Sequence, residues 1–132
     1  RTLFIESVEN PTTETWLGPL VRSMFRDELT RRGWTNWDSR GNADGLVQIT
    51  IDKFSRTSTV TDENADTLKF VSSISLSAQI TDRDSGEVLW NSGSVSWGGT
   101  YYGTNSSPET TADTFATDHA IRRLADLLSQ GY

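Results

Sequence analysis

Hydrophobic and polar residues alternate along this chain in a small number of separable patterns. Leu3 and Ile5 alternate with Phe4 and Glu6 until Asn10-Pro11, so Thr2 to Val8 reads as a short opening strand. From Thr15 to Arg32 the period changes: Leu17, Leu20, Val21, Met24, Phe25 and Leu29 recur every three or four positions between Arg22, Arg26, Asp27 and Arg31, which predicts an amphipathic helix. Arg31-Arg32 suit the negative end of its dipole, and Gly33 supplies the stop. Trp34 to Trp37 is expected as a short edge strand before the turn-rich stretch from Asp38 to Gly45.

Period two then returns. Over Leu46 to Phe54, Val47, Ile49 and Ile51 face one way while Gln48, Thr50 and Asp52 face the other. Thr57 to Asp66 has no large apolar side chain except Val60, and is expected to be a mobile hairpin loop or the frayed tip of two long strands. Leu68, Phe70, Ile74, Leu76, Ala78 and Ile80 next alternate with Lys69, Ser73, Ser75, Ser77, Gln79 and Thr81, a half-buried strand. Asp82 to Gly86 forms a turn, and Glu87 to Trp97 returns as the second arm of a hairpin. Gly98-Gly99 and Gly103-Thr104-Asn105 are read as breaks around Tyr101-Tyr102. Ser107-Pro108-Glu109 then opens a second amphipathic helix, carrying Ala112, Phe115, Ala116, Ala120, Ile121, Leu124, Ala125 and Leu128 and ending at Gly131.

The order is β-α-β(β)-β-β-α. Two helices with one apolar face each, beside strands that are apolar on one face, bury those faces together by covering one side of the sheet. The expected fold is α+β, a two-layer α/β sandwich: two amphipathic helices on one face of a mostly antiparallel four- to five-stranded sheet, in one domain over residues 1–132. Its core should contain Leu17, Val21, Met24, Phe25, Ile49, Ile51, Phe70, Ile74, Leu76, Ile80, Trp90, Leu124 and Leu128. The opposite sheet face, with Thr50, Asp52, Ser73, Ser75, Ser77 and Gln79, is left for water or a hydrophilic partner.

Composition narrows the function more than the fold. The 132 residues suffice for a core without staples. Twelve basic against 18 acidic residues, a net charge of −6, disfavour a duplex nucleic-acid binder, which needs a basic surface. With no cysteine, disulfides, thiol catalysis and cysteine-based zinc sites are excluded. No apolar run reaches the roughly 20 residues that span a bilayer. A start at Arg1 without Met suggests a trimmed leader or anchor, or a sequence that begins inside the mature protein.

Candidate chemistry is sparse. His119, the single histidine, lies mid-helix near Asp118 and Arg122, with no nucleophile at fixed spacing to complete a triad, and reads as a solvated surface residue. Asp82-Arg83-Asp84-Ser85-Gly86 begins like a calcium loop but lacks the closing glutamate and the flanking helices. Gly98-Gly99 lacks the strand-to-helix setting of a phosphate loop. No catalytic residue, metal site or cofactor is expected. What remains is surface: Lys53, Arg56 and Lys69 at neighbouring strand ends as a lipid-binding cationic spot suited to phosphate, and Trp97, Tyr101 and Tyr102 at a sheet end as a partner-binding aromatic group.

The series of segments resembles the LptE-like family of lipopolysaccharide-assembly outer-membrane lipoproteins over nearly the whole chain. The resemblance rests on Leu3-Phe4-Ile5 leading to Asn10-Pro11-Thr12, on Glu28-Leu29 and Arg31-Arg32-Gly33, and on Ala43-Asp44. It rests most on Ile80-Thr81-Asp82 with Ser85-Gly86-Glu87-Val88-Leu89-Trp90, followed by Tyr101-Tyr102 and a terminal helix rich in Ala and Leu. It implies a two-helix sandwich held on the periplasmic side of the outer membrane by a lipidated cysteine, which is not in this chain. It also implies a non-enzymatic plug and assembly factor for an LptD-type β-barrel, with lipopolysaccharide as a further ligand. Two other classes remain open: an adaptor module of another envelope system, and an enzyme acting on envelope glycans through Asp62 or Glu63.

Overall fold

A computed structural model describes residues 2–33, 35–60, 68–103 and 108–131. Along the chain run β1 (Thr2–Glu9), α1 (Leu17–Arg32), β2 (Asn36–Trp37), β3 (Gly45–Val60), β4 (Leu68–Asp82), β5 (Val88–Asn91), β6 (Val95–Gly103) and α2 (Pro108–Gly131). The strands form one sheet in the order β2-β1-β3-β4-β5, with β6 also paired to β4. Two helices on one sheet face make the fold α+β, as the patterning requires. The sheet is mixed: β1 runs parallel to β2 and β3, while β4 is antiparallel to β3, β5 and β6. The parallel pairing follows from α1, because a helix between two strands lets the chain cross back and enter the sheet in the same direction.

The core lies between sheet and helices. Val47, Ile49 and Ile51 of β3 and Ile74, Leu76 and Ile80 of β4 meet Leu17, Val21, Phe25 and Leu29 of α1 and Ile121, Leu124 and Leu128 of α2. Every residue expected in the core is buried except Met24, which packs against it half-covered. Gly33 ends α1 at φ 76°, donating its N–H to the carbonyls of Leu29 and Thr30. Arg32 joins the helices, pairing with Glu28 of α1 at 2.7 Å and with Asp126 of α2 at 2.9 Å.

Three details depart from the sequence reading. The arm expected as one strand from Glu87 to Trp97 is two strands, both paired to β4 and interrupted at Ser92–Ser94. There Gly93 adopts φ 68°, and the Ser92 hydroxyl accepts the Ala78 N–H at 2.9 Å in place of a ladder carbonyl. Gly98-Gly99 does not break the pattern; both glycines continue β6, as do Tyr101 and Tyr102. Strands β3 and β4 extend to Val60 and from Leu68, so within the segment expected to be mobile, Thr57 to Asp66, residues 57–60 are ladder-paired to β4, and 61–66 lie outside the described residues, as does Trp34.

Gly99 stands opposite Ser72 directly beneath α2. A Cβ at this position would sit 2.8 Å from the Ala112 carbonyl oxygen and 2.9 Å from the Ala116 nitrogen, both backbone atoms that cannot swing aside. The glycine is therefore needed for close approach of helix and strand. At Gly98 the nearest atom to such a Cβ is the Ser72 carbonyl oxygen at 3.6 Å, an ordinary contact.

Gly99→Ala should cost about 1–3 kcal/mol of stability through overpacking, whereas Gly98→Ala should be close to neutral; urea unfolding of the two variants beside the parent measures both. A second expectation comes from the β4–β5 turn, where the Asp82 carboxylate accepts the N–H groups of Ser85 and Asp84, each at 2.9 Å. These bonds, that from Ser85 first, hold its pKa below the ordinary aspartate value. Because the folded pKa is the lower one, the turn contributes stability above the unfolded value of about 3.9 and loses it as pH falls through the folded value. In an NMR titration Asp82 should therefore lose its proton at lower pH than aspartate in an unfolded peptide.

Candidate functional site

The placement of the surface residues is decided by a bulge. Between Ile51 and Lys53 the β3–β4 register shifts by one, so alternation restarts with the opposite parity. Before the shift Ile51 lies opposite Leu76 on the helix side; after it Lys53 lies opposite Ser75, Phe54 opposite Ile74, Ser55 opposite Ser73 and Arg56 opposite Ser72. Lys53 and Ser55 thus belong to the open face, and Phe54 and Arg56 to the helix face.

Arg56 is held there by Asp113 of α2. The carboxylate is 2% exposed and accepts Arg56 Nε at 3.1 Å to each oxygen, with Nη2 closing the fork on Oδ2. The Ser72 hydroxyl also donates to Asp113, and Thr117 donates to its backbone carbonyl at 2.8 Å. This cation therefore neutralises a buried acid.

The structure does not gather the three expected cations into one spot. Arg56 is on the helix face, while Lys53 and Lys69 stand on the open face, Lys53 opposite Ser75 and Lys69 opposite Thr59 and Tyr102. Six positions along β4 separate those two lysines' places, roughly 20 Å at strand rise. The aromatic group is also divided by the pleat. Trp97 lies opposite Ile74 on the helix side, 44% exposed, its ring 5.4 Å from that of His119. Tyr102, 59% exposed, lies on the open side beside Lys69. Tyr101 pairs with Phe70 in the ladder, and its side chain lies outside the described residues.

The open face is a sheet of hydroxyl and amide groups. Ser55 and Ser73 are bonded at 2.6 Å, Ser75 and Ser96 at 2.7 Å, and Ser77 donates to Asp52 at 3.2 Å. Two shallow grooves cross it. One, of about 290 Å³, is lined by Glu9, Gln48, Thr50, Ser77, Gln79 and Asn91; the other, of about 330 Å³, by Lys53, Ser73, Ser75, Ser96, Trp97 and Gly98. The serine hydroxyls are bonded to one another or to a carboxylate, and no imidazole joins them to activate one. His119 lies on the helix side with its ring tilted against Trp97, and its neighbour Asp118 is paired with Arg122 at 3.0 Å. Among the described residues no group of three or more His, Asp or Glu is placed to hold a metal, and no helix is long and apolar enough to cross a membrane. Asp62 and Glu63 lie outside the described residues. This surface can bind by shape, hydrogen bonding and aromatic contact.

Sequence reasoning did not single out Asp113 or Ser72, and took Gly99, with Gly98, only as a break in the pattern. Two of them carry a signal: Ser72 occupies an apolar-parity position between Phe70 and Ile74, and Asp113 falls on the stripe of Ala116, Ala120 and Leu124. A polar residue on an apolar stripe calls for a buried partner.

Comparison with known proteins agrees with this architecture. The LptE family model, described as lipopolysaccharide-assembly, matches residues 1–131. Among solved structures, a Caulobacter crescentus CB15 chain assigned as a lipoprotein superposes with a TM-score of 0.60 at 17% identity, over 93% of this chain and 89% of that one. The hypothetical protein CT253 of Chlamydia trachomatis reaches 0.60 at 9% identity, over 98% and 94%. A single-substitution form of PelC from Paraburkholderia phytofirmans, a dodecamer, reaches 0.51 at 16%, over 92% and 84%. At such identities these likenesses carry the fold alone. No curated protein matches the sequence.

Arg56→Ala should destabilise the domain by about 3 kcal/mol because it leaves Asp113 buried and unpaired, while Lys69→Ala should change stability by less than about 0.5 kcal/mol. Equilibrium urea unfolding separates the two; equal small effects would mean that Asp113 is solvated.

Proposed function

This chain belongs to the LptE lipopolysaccharide-assembly family, and on that premise we propose that it is a lipid-anchored outer-membrane component that sits in the lumen of an LptD-type β-barrel and assists its assembly. The role is non-enzymatic, in keeping with the family. The observation that carries the reading is the one-sided sheet: both helices cover one face, and the other presents hydroxyl, amide and a few charged groups over the length of β3 and β4. The lumen of an outer-membrane barrel is itself polar. A plug for it needs a rigid surface that can exchange hydrogen bonds with water for hydrogen bonds with the wall, and a core kept entirely on the other side.

In this reading Trp97, Tyr101 and Tyr102 supply aromatic contact to the barrel, since Trp and Tyr buried at an interface carry a large share of its energy. Lipopolysaccharide is the second ligand. Lys53 and Lys69, on the open face, meet its phosphates, while Arg56 is committed to Asp113 on the helix face. With a net charge of −6 the attraction is local and strongly screened by salt.

Expressed at full length with an affinity tag and extracted from membranes, the protein should co-purify with an outer-membrane β-barrel protein. Trp97→Ala should fold with unchanged thermal stability and recover less of that barrel. Recovery of the full-length protein only as a soluble monomer would shift the reading to an adaptor of another envelope system. A Lys53→Glu, Lys69→Glu double variant should bind lipopolysaccharide more weakly than the parent at low salt and converge with it at high salt; equal affinity at low salt would remove the lipid role from these positions.

A further inference from the structure

The two edges of the sheet are built differently. On one side the last strand is β2, only two residues long. On the other, β6 runs nine residues from Val95 to Gly103 and, among the described strands, pairs only with β4. Its register with β4 shows no shift, in contrast to the bulged pairings of β1 with β3, β3 with β4 and β4 with β5. Its sequence, Val-Ser-Trp-Gly-Gly-Thr-Tyr-Tyr-Gly, contains no charge and no proline. Sheet edges are ordinarily closed to other chains by short strands, bulges, prolines or lysines. The β2 edge uses the first of these, whereas among the described residues β6 shows none.

Beside this open edge, on the helix side, stand Trp97 at 44% exposure, Phe115 at 46% and the exposed His119 stacked on Trp97. An unguarded strand flanked by aromatic side chains fits backbone addition with side-chain anchoring. We propose that β6 pairs antiparallel with β6 of a second copy of this chain, about a two-fold axis near Gly98. This inference concerns the edge itself and does not depend on the barrel reading.

Three features favour a second copy over another occupant. A closed barrel offers no free strand edge to pair with. With the axis at Gly98, residues directly opposite share a face, so Trp97 of one copy lies beside Gly99 of the other. Phe115 is seated on that glycine, its Cβ 3.2 Å from where a Gly99 Cβ would be, so Trp97 meets the partner's aromatic group over a site with no side chain of its own. On the open face Ser96 then lies opposite Thr100, and no position of β6 meets a like charge.

The helix layer also allows the pairing. Each α2 rests on both β4 and β6. With strands about 4.8 Å apart, the midlines of the two β4–β6 pairs lie roughly 10 Å from each other, the ordinary spacing of packed helices. The two copies of α2 therefore run side by side on one face of a continuous sheet, with Phe115 and His119 near the axis.

Sedimentation velocity on residues 1–132 over a range of concentrations should show a reversible monomer–dimer equilibrium. Phe115→Lys and Thr100→Lys, which charge the seam from the helix side and the open side, should each weaken it by about tenfold or more while keeping the parent's circular dichroism. Hydrogen exchange on the parent gives a readout independent of any variant: protection of the 95–103 amides should rise with protein concentration, while that of Ile49 and Leu76 stays constant. A parent monomeric at every concentration, a dimer indifferent to both substitutions, or β6 protection that responds only to an added barrel protein would overturn the proposal.

Discussion

The distance at which α2 lies on the sheet governs the rest of this structure. It is set by Gly99 and Asp113, both facing the same register position, Ser72. Gly99 removes the side chain that would hold the helix backbone away from β6, and Asp113 projects from the helix into the layer below, where Arg56 and Ser72 are waiting. A carboxylate in an apolar layer is tolerated only if its charge and lone pairs are met. Register therefore matters as much as distance: a helix displaced by one turn would bury the acid without its cation. Hydrophobic contact alone, being non-directional, would allow such slippage. The polar lock and the glycine cradle together choose one seat.

The same arrangement explains why the functional surface is found where it is. Once both helices are committed to one side, the apolar residues of β3 and β4 are consumed there, and the opposite face carries only what the alternation leaves, largely Ser, Thr and Gln. Side chains this short, bonded in pairs across strands, form a flat and rigid surface with little conformational entropy left to lose on binding. The two grooves described on this face are shallow and lined largely by hydroxyl and amide groups. Such a face suits recognition over an area, and the family to which the chain belongs is described by lipopolysaccharide assembly.

Much of this was legible in the sequence because burial here is strictly one-sided. Alternation in Leu68–Thr81 and the three-and-four spacing in both helices identified the layers and almost all of the core, and the series of segments in order, with the Ser-Gly-Glu-Val-Leu-Trp turn among them, carried the resemblance to the family. The site was less legible, for one physical reason. Parity arguments assume an unbroken ladder, and a bulge near Asp52 reverses them without a marker such as glycine or proline. Lys53, Arg56 and Lys69 looked like neighbours at one tip, yet the shift sends Arg56 to the helix side and leaves the lysines apart. Gly98-Gly99 looked like a stop because glycine is usually read through its φ; here Gly99 matters for what its missing side chain lets approach. Asp113 could have been found, since an acid on an alanine stripe contradicts its surroundings.

The bulge also accounts for the length of the sheet. Without it, positions beyond Ile51 would keep the first parity, placing Lys53 and Ser55 under the helix layer and Phe54 and Arg56 on the open face. The outer half of β3 would then bury a lysine with no acid while Asp113 lost its cation, and the strand would have no reason to continue beneath α2. By moving Phe54 against Trp16, 5.8 Å ring to ring, and Arg56 against Asp113, one extra residue lets the sheet extend past the main core and still cover its inner face. That extension gives β4 the length to pair with both β5 and β6, and so creates the long, uncharged outer strand at the sheet's edge. A single irregularity in β3 thus determines, two strands away, which backbone groups are offered to another molecule.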